Sequence, residues 1–386
     1  MKEFLEGSRA VAETVNLVKP GVISAYPITP QTHIVEDLAQ MVADGKLKSE
    51  FINVESEHSA ASAVLGGSAA GVRVFSATSS QGLLLMTEVI FNIAGMRLPV
   101  VIVCANRSIS APINIWNDHQ DAETVRDSGW IQLFGENIQE VCDLLLLAYR
   151  LGEHKDIMLP VLVNMDGFVL THGHEVIDMP GKKEVEKFLP PYKAPYKLDV
   201  ENPISMGLLA PPDSYMETRF AIQETMKQVI ELIPNLCGEF EKVFGRKLNG
   251  LIETYKTEDA DIVLVAKGSV VGTIKETVDR LREKGEKVGV LKIVTYRPFP
   301  ADLVYKALSG TKKIAVVEKA ISLGSSGPMH LEICRSFANK KESPQIDGFI
   351  IGLGGRDIRI KSIEEIVKVV SETQSENKFI DLKKGL

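Results

Sequence analysis

The chain has 386 residues, of which 45% are hydrophobic and 25% charged, a composition typical of a soluble globular protein with two or three domains. Its formal net charge of −7 disfavours nucleic acid or an anionic membrane surface as a partner. No run of about 18 apolar residues predicts a membrane-spanning helix. The acidic N-terminus lacks the apolar core of a signal peptide, so we expect a cytoplasmic protein.

The four cysteines predict neither a structural zinc site nor an iron–sulfur cluster. They stand alone at Cys104, Cys142, Cys237 and Cys334, and no CxxC pair occurs. Both kinds of site need thiolates at close and regular spacing. We therefore expect any electron-transferring cluster to belong to another chain.

The first elements are a helix, a strand and a second helix. Apolar residues at helical spacing predict a helix within Phe4 to Val18, and Val22 to Tyr26 is predicted as a strand. The strand is broken by Pro27-Ile28-Thr29-Pro30. Each proline fixes its own φ and pushes the preceding residue out of the helical region, so this corner should hold Thr29 stiffly in place. A helix is predicted over Thr32 to Ala43.

A short apolar strand, Phe51 to Val54, ends in the polar turn Glu55-Ser56-Glu57-His58. Ser59 then predicts the N-cap of a helix made largely of small residues, whose backbone can approach its neighbours closely. Open α/β sheets bind their ligands at the carboxyl ends of strands, which makes Glu55 and Glu57 candidates for function. Both also suit a plain helix N-terminus, where acidic side chains favour the helix dipole.

Two further strand–helix units follow. Strand 72–77 ends in Thr78-Ser79-Ser80-Gln81-Gly82, and strand 100–105 ends in Asn106-Arg107. Short apolar strands alternating with helices predict a parallel sheet that is covered on both faces. The strand ends would bring together the 26–29 corner, Glu57, residues 78–81 and Arg107. Considered alone, Arg107 would be predicted to be a charged surface residue.

The segment from Ile109 to Gly129 is polar and irregular, as functional loops at strand ends often are. Within it, His119 is predicted to be a hydrogen-bonding loop residue rather than a general base. Further on, His172 and His174 would point in opposite directions on an extended chain. We interpret both as surface residues and not as metal ligands.

The order of elements predicts two domains. Residues 1–188 form the first α/β domain, and the run of prolines that begins near Leu189 indicates a Pro-rich strap and helical linker over 189–257. Strands and helices alternate again over 258–370, which predicts a second α/β domain. The charged tail, 371–386, is expected to be loose.

Several common enzyme signatures are absent from the sequence. It contains no Walker A pattern and no GxSxG nucleophile motif. Gly268 to Gly272 follows a predicted strand but lacks the spacing of a dinucleotide-binding loop. An NAD-dependent dehydrogenase and a hydrolase are therefore disfavoured.

Five separated motifs occur in a specific order: YPITPQT (26–32), VESEHSA (54–60), TSSQGLLLM (78–86), ANRSISAPINIWNDHQD (105–121) and TYRPFP (295–300). Together they resemble the α subunit of pyruvate:ferredoxin oxidoreductase in its multi-subunit archaeal and anaerobic form. The resemblance covers roughly residues 10–355. It implies a thiamine diphosphate enzyme that oxidatively decarboxylates a 2-oxoacid, here pyruvate, with CoA to acetyl-CoA, CO₂ and reduced ferredoxin.

The resemblance also implies a role for individual residues. Glu57 would be catalytic, hydrogen-bonding the ring nitrogen of the cofactor's aminopyrimidine and so favouring the tautomer that removes the thiazolium C2 proton. Arg107 would bind the substrate carboxylate, and Thr29 its carboxylate or carbonyl oxygen. The remaining cofactor contacts would be Pro27, Ile28, Ser80 and Gln81. The first domain would be the pyrimidine-binding domain, and the second would resemble the transketolase C-terminal domain, which has no cofactor contacts.

One thiamine-enzyme motif is missing. The GDG sequence that binds Mg²⁺ and the diphosphate does not occur, since Asp166-Gly167 is preceded by Met165. The resemblance implies that the β subunit carries this half-site and that γ and ferredoxin-like δ subunits complete the complex. Mg²⁺ and iron–sulfur clusters are thus expected on partner subunits, and ferredoxin and CoA are reached through the complex. No metal ligand is assigned to this chain, which should be inactive alone.

Alternatives stay open at this point. The α subunits of 2-oxoisovalerate and 2-oxoglutarate:ferredoxin oxidoreductases look similar, and the Thr29 corner and the RPFP stretch favour pyruvate only modestly. A non-catalytic assembly subunit with the same fold is an alternative from a different class. The presence of Thr29, Glu57 and Arg107 argues against it, because a decayed relative is expected to lose at least one of them.

Overall fold

The computed structural model describes residues 2–341 and 343–383, which form two α/β units joined by a proline-rich segment and a long helix. The first unit contains β1 (Lys2–Glu6), α1 (Gly7–Val18), β2 (Val22–Ala25), α2 (Thr32–Ala43), β3 (Glu50–Asn53), α3 (Glu57–Ala69), β4 (Val74–Thr78), α4 (Ser80–Leu85), α5 (Thr87–Gly95), β5 (Val101–Asn106), α6 (Gln120–Thr124), β6 (Ile131–Phe134), α7 (Ile138–Gly152), β7 (Val161–Asp166), β8 (His174–Asp178) and α8 (Lys182–Phe188). The long helix is α9 (Pro212–Phe244). It is followed by β9 (Ile252–Tyr255), β10 (Ile262–Ala266), α10 (Val270–Glu283), β11 (Val288–Ile293), β12 (Thr295–Arg297), α11 (Ala301–Leu308), β13 (Lys313–Glu318), α12 (Pro328–Phe337), β14 (Gln345–Ile350), α13 (Ile360–Glu372) and β15 (Lys378–Phe379).

Seven strands form the sheet of the first unit, in the order β12-β6-β7-β5-β4-β2-β3. Neighbouring strands are parallel except β12 and β6. Every residue of β4, β5 and β7 is buried, as expected for central strands that are covered on both faces. Helices α1, α2 and α7 pack on one face, and α3 and α5 pack on the other. The predicted doubly covered parallel sheet is confirmed.

The second unit has a six-stranded sheet in the order β15-β14-β13-β10-β11-β9, which is parallel except for β9 against β11. Helices α10 and α13 cover its outer face. On the other face, one continuous hydrophobic cluster joins Leu83 and Trp130 of the first unit to Val304 and Ile333 of the second. The two units therefore share a core. None of the helices in residues 2–341 and 343–383 combines the length and the hydrophobicity that a membrane span requires.

The short strand β12 links the units directly. It follows the second unit's β11 in sequence but pairs antiparallel with β6, extending the first unit's sheet at its edge. Its central residue, Tyr296, is fully buried, and the Lys267 ammonium lies 3.9 Å from the centre of its ring. A cation over an aromatic face is a favourable contact away from water. The TYRPFP motif thus docks one unit onto the other.

The N-terminus differs from the sequence expectation. A helix from Phe4 is wrong, because Lys2–Glu6 form β1, which pairs antiparallel with β8. The helix begins at Gly7, where a Cβ atom would lie 1.8 Å from the carbonyl oxygen of Leu170. Only glycine allows this close approach, and the strand is stabilised by a partner that lies far away in sequence.

The linker contains the predicted helical segment as one long helix, and the tail is more ordered than the sequence suggests. Helix α9 runs unbroken through Pro234 and packs on α7, burying Val229, Ile233 and Phe240 in the core of the first unit. In the tail, which was expected to be loose from residue 371, Lys378–Phe379 form β15 and pair with β14. Residues 384–386 of that tail lie outside the described part of the chain.

Candidate active site

The carboxyl ends of four adjacent strands define the candidate site. Strands β5, β4, β2 and β3 lie side by side and run parallel, so their ends open at the same edge of the sheet. The residues predicted from the sequence follow these ends: Pro27, Ile28 and Thr29 after β2, Glu57 after β3, Ser80 and Gln81 after β4, and Arg107 after β5. The topology brings the whole predicted set to one edge.

Glu57 is buried although its side chain is polar. It is the first residue of α3, and the N-cap is Ser56, whose hydroxyl oxygen accepts a bond from the Ser59 backbone N–H at 3.2 Å. The expectation that Ser59 is the N-cap is therefore wrong. The Glu57 side chain is only 7% exposed and lies against Gly82, where a Cβ atom would sit 2.7 Å from its Oε1. Among residues 2–341 and 343–383, no donor contacts this carboxylate.

Glu55, two residues earlier, is in a different environment. Its side chain is exposed and accepts a hydrogen bond from the Ser59 hydroxyl at 2.6 Å. The structure thus separates the two neighbouring carboxylates, one in water and one inside the site. A buried carboxylate without a donor is costly, which makes Glu57 the more informative of the pair.

Arg107 and Thr29 are in direct contact. The Arg107 guanidinium donates from Nη1 to the Thr29 carbonyl oxygen at 2.9 Å and from Nε to the Asn114 carbonyl oxygen at 3.0 Å. Arg107 is 9% exposed, and no carboxylate pairs with its side chain in the described part of the chain. Burial lowers its pKa, and the charge of Asp121 opposes this. With five N–H donors and two of them used, the guanidinium retains donors for an anionic ligand.

Ser80 and Gln81 shape the turn after β4. Ser80 has a positive φ of 47° and is fully buried, and its hydroxyl lies 2.5 Å from the Ser108 carbonyl oxygen and 2.6 Å from Gln81 Oε1. Its side chain is thus used within the protein, while Gln81 is partly exposed. Pro27 and Thr29 are exposed at the corner, and Ile28 is half-buried.

Gln31 is a site residue that sequence reasoning missed. It is fully buried, and its Nε2 donates to the carbonyl oxygens of Ala77, at 2.6 Å, and Tyr26, at 3.3 Å. Its Oε1 accepts from the Ile28 backbone N–H at 3.3 Å. One amide thus fixes the corner after β2 to the end of β4. The YPITPQT motif contains Gln31, but no feature of the neighbouring sequence distinguishes a buried glutamine from an exposed one.

Asp121 is the second missed residue and connects the turns that carry Ser80 and Arg107. It is fully buried, and its Oδ2 accepts from the backbone N–H groups of Ser80, at 3.0 Å, and Arg107, at 2.9 Å. Its Oδ1 accepts from Asn106 Nδ2 at 3.0 Å and from the Ala122 N–H at 2.8 Å. Burial raises the pKa of Asp121, but these neighbours all donate, so they stabilise the ionised form.

The loop from 109 to 129 is clamped between the two units. His119 Nε2 lies 2.7 Å from Asp166 Oδ1, which confirms His119 as a hydrogen-bonding loop residue. Asp166 also accepts from Ser269 and, at 2.9 Å, from Lys319 of the second unit. Burial would raise the pKa of Asp166, but Lys319 and His119 outweigh it and hold this pKa well below its usual range. A second buried ion pair joins Glu123 to Lys267.

Comparison with known proteins identifies the family of this chain. Residues 13–236 match the family described as "Pyruvate flavodoxin/ferredoxin oxidoreductase, thiamine diP-bdg", and residues 260–363 match "Pyruvate:ferredoxin oxidoreductase core domain II". The chain is 47% identical to pyruvate synthase subunit PorA of Methanothermobacter thermautotrophicus, over 99% of this chain and 98% of that one. The chain belongs to the pyruvate:ferredoxin oxidoreductase family.

Two further proteins are similar to this chain. Ketoisovalerate oxidoreductase subunit VorA of Pyrococcus horikoshii is 41% identical over 99% of this chain and 97% of that one. A solved 2-oxoglutarate:ferredoxin oxidoreductase from Magnetococcus marinus superposes with a TM-score of 0.73 at 20% identity, covering 95% of this chain and 65% of that one. At this identity the superposition shows a shared fold. The resemblance stated from the motifs and the predicted fold class are both confirmed, whereas the roles of the individual site residues stay predictions.

The Asp121 contacts predict the effect of one substitution. Asp121→Asn keeps the shape but turns an N–H₂ group toward backbone N–H groups that need an acceptor. Leaving such donors unsatisfied costs about 1–3 kcal/mol, and we expect that loss in the free energy of unfolding of the full chain, measured by urea denaturation. Asp127→Asn is the matched control in the same loop, because the Asp127 side chain is 76% exposed. Equal stability of the two variants would contradict the role given to Asp121.

Proposed function

We propose that this chain is the α subunit of a thiamine diphosphate-dependent pyruvate:ferredoxin oxidoreductase. The complex would convert pyruvate and CoA to acetyl-CoA and CO₂ and reduce ferredoxin. The observation that carries the proposal is the buried Glu57 carboxylate, which has no donor in the described part of the chain and faces the edge where the strands end. A ligand that donates to this largely buried carboxylate would complete its hydrogen bonds.

The residues around Glu57 fit the aminopyrimidine end of the cofactor. Thr78 Oγ1 and Ser79 Oγ are both buried without a hydrogen-bond partner. A Cβ atom on Gly82 would lie 2.6 Å from Thr78 Oγ1 and 2.7 Å from Glu57 Oε1, so only glycine lets both side chains pack this closely against α4. Hydroxyl and carboxylate groups that lack partners within the protein would suit a ligand ring that carries nitrogen donors and acceptors. Pro27, Ile28, Ser80 and Gln81 would line the same site.

Glu57 would act by holding a proton. When bound, thiamine diphosphate supplies a carbon nucleophile for the keto group and accepts the electrons released by decarboxylation. The Glu57 carboxyl group would share a proton with the ring nitrogen of the aminopyrimidine and so set its tautomer. Glu57 lies in the first turn of α3 with only 7% of its surface exposed, and a hydrogen bond is stronger where little water competes for it.

Arg107 and Thr29 would bind the substrate. The guanidinium is held by two backbone carbonyl oxygens and has no carboxylate partner among the described residues, so a 2-oxoacid carboxylate would supply the missing negative charge. Charge-assisted bonds of this kind are stronger than neutral ones. Thr29 is exposed at its corner, beside Arg107, where its hydroxyl would reach the substrate's carboxylate or carbonyl oxygen.

The rest of the active site would belong to partner subunits. The relatives are named as subunits, and this sequence lacks the GDG motif, so the Mg²⁺ and diphosphate half-site is proposed on a β subunit. The four cysteines are free thiols at separate places, so any iron–sulfur cluster of the complex is proposed on other chains, with a ferredoxin-like δ subunit beside γ. Free thiols also suit the reducing cytoplasm, the proposed location.

The choice of substrate rests on the relatives. Identity is 47% to a pyruvate synthase subunit and 41% to a ketoisovalerate oxidoreductase subunit, which favours pyruvate over 2-oxoisovalerate. The assembled complex should therefore turn over pyruvate with a higher kcat/KM than 2-oxoisovalerate or 2-oxoglutarate, measured as CoA-dependent ferredoxin reduction. A preference for either larger 2-oxoacid would assign the chain to that enzyme, and no turnover of any of them would support the assembly-subunit alternative.

Glu57→Gln tests the proton-holding role in the assembled complex. The amide keeps the size of the side chain, so folding and assembly should survive, but it cannot share a carboxyl proton. Removing a positioned acid or base costs about 10²- to 10⁴-fold in rate, and we expect a fall in kcat of that order. Exchange of the cofactor C2 proton in deuterium oxide, followed by NMR, should slow in parallel.

Glu55→Gln is the control, because Glu55 lies two residues away in water. Its kcat should stay close to that of the unaltered complex. An inactive Glu55 variant beside an active Glu57 variant would show that the motif has been placed wrongly by two residues.

A further inference from the structure

Three side chains from separate segments meet beside the candidate active site. Glu6, His33 and His172 each offer one ligand atom, and the three atoms lie within 4.8 Å of one another. No other group of three or more His, Cys, Asp and Glu side chains among the described residues lies close enough together to hold a metal ion. The three residues are widely separated in the sequence, so no local pattern reveals that they lie together.

Each of the three is held by a different element. Glu6 is the last residue of β1 and is fixed by its pairing with His174 in β8. His33 is the second residue of α2, and its Nδ1 lies 2.9 Å from Glu6 Oε1. The ring centres of His33 and His172 are 4.8 Å apart. All three side chains are partly exposed, so an ion can reach them from solvent.

His172 is oriented as metal-binding histidines usually are. Its Nδ1 lies 2.7 Å from Thr171 Oγ1, which in turn accepts a bond from the Phe168 backbone N–H at 2.8 Å. The Thr171 hydroxyl can accept a hydrogen bond from Nδ1–H of His172, and in that tautomer Nε2 is available to bind an ion.

We propose that Glu6, His33 and His172 bind one divalent transition-metal ion of the Zn²⁺ class. Two imidazoles and one carboxylate form a set that zinc and its neighbours accept, whereas Mg²⁺ and Ca²⁺ prefer oxygen ligands. Tetrahedral ligands at about 2.1 Å from zinc are roughly 3.4 Å apart. The side chains would therefore need to move together only slightly, and water would fill the fourth position.

The ion would tie β1, α2 and the β7–β8 loop together near the site. His33 lies in the first turn after the Thr29 corner, and the ring of Phe168, which contacts His172, lies 4.5 Å from that of Trp116 in the 109–129 loop. The proposed role is to fix these segments in place. It is independent of the proposed catalytic function.

Zinc titration of the metal-free full chain tests the proposal. Isothermal titration calorimetry should show one Zn²⁺ bound by Glu6, His33 and His172, and no binding of Mg²⁺ at the same concentration. Bound Zn²⁺ should also raise the Tm of the chain. His33→Gln and His172→Gln should each weaken Zn²⁺ binding at least about tenfold and remove the rise in Tm. Both residues are partly exposed, so the variants should fold, which their Tm without metal will show.

Two controls separate this site from others. His58→Gln removes a histidine that is 4.0 Å from a single carboxylate, Glu88, and should leave Zn²⁺ binding unchanged. Cys334 Sγ lies 3.5 Å from His330 Nε2, so Cys334→Ser tests whether that pair binds zinc instead. Absence of Zn²⁺ binding, retention of binding in both histidine variants, or its loss only in Cys334→Ser would each overturn the proposal.

Discussion

The buried carboxylate of Asp121 holds together the segments on which the candidate site depends. Parallel strands bring Ser80 and Arg107 to the same edge, but the turns that carry them have backbone N–H groups with no partner in the sheet. Asp121 accepts from both at about the ideal distance and thereby sets the position of one turn relative to the other. Gln31 does the same for the corner that presents Thr29. The groups proposed to contact ligands are thus positioned by buried side chains that are not themselves proposed to contact a ligand.

The second unit contributes to the site through the 109–129 loop. That loop carries Asp121. Its His119 contacts Asp166, which is held in turn by Lys319 and Ser269 of the second unit. The buried Lys267–Glu123 pair is a second, direct contact between the loop and that unit. Removing one partner from a buried pair leaves an uncompensated charge, which is strongly unfavourable. The second unit, expected from the resemblance to have no cofactor contacts, therefore still supports the geometry of the first by holding this loop.

Much of the fold follows from local sequence patterns, and the site only in part. Short apolar strands alternating with helices predicted the parallel sheet, and strand ends pointed to Glu57 and Arg107. The pairing of β1 with β8, and of β12 with β6, depends on contacts between residues far apart in sequence, which no local pattern reveals. The same holds for Asp121 and Gln31, because the sequence of a polar loop does not show whether an Asp or Gln in it is buried or exposed.

The central claim is that this chain supplies one half of a divided active site: the Glu57 carboxylate, but not the diphosphate site. Calorimetric titration of the isolated full chain with thiamine diphosphate and Mg²⁺, with and without the β subunit, tests it most directly. The account predicts no binding at micromolar cofactor for the chain alone and clear binding once the β subunit is added. Micromolar or tighter binding by the chain alone would contradict it.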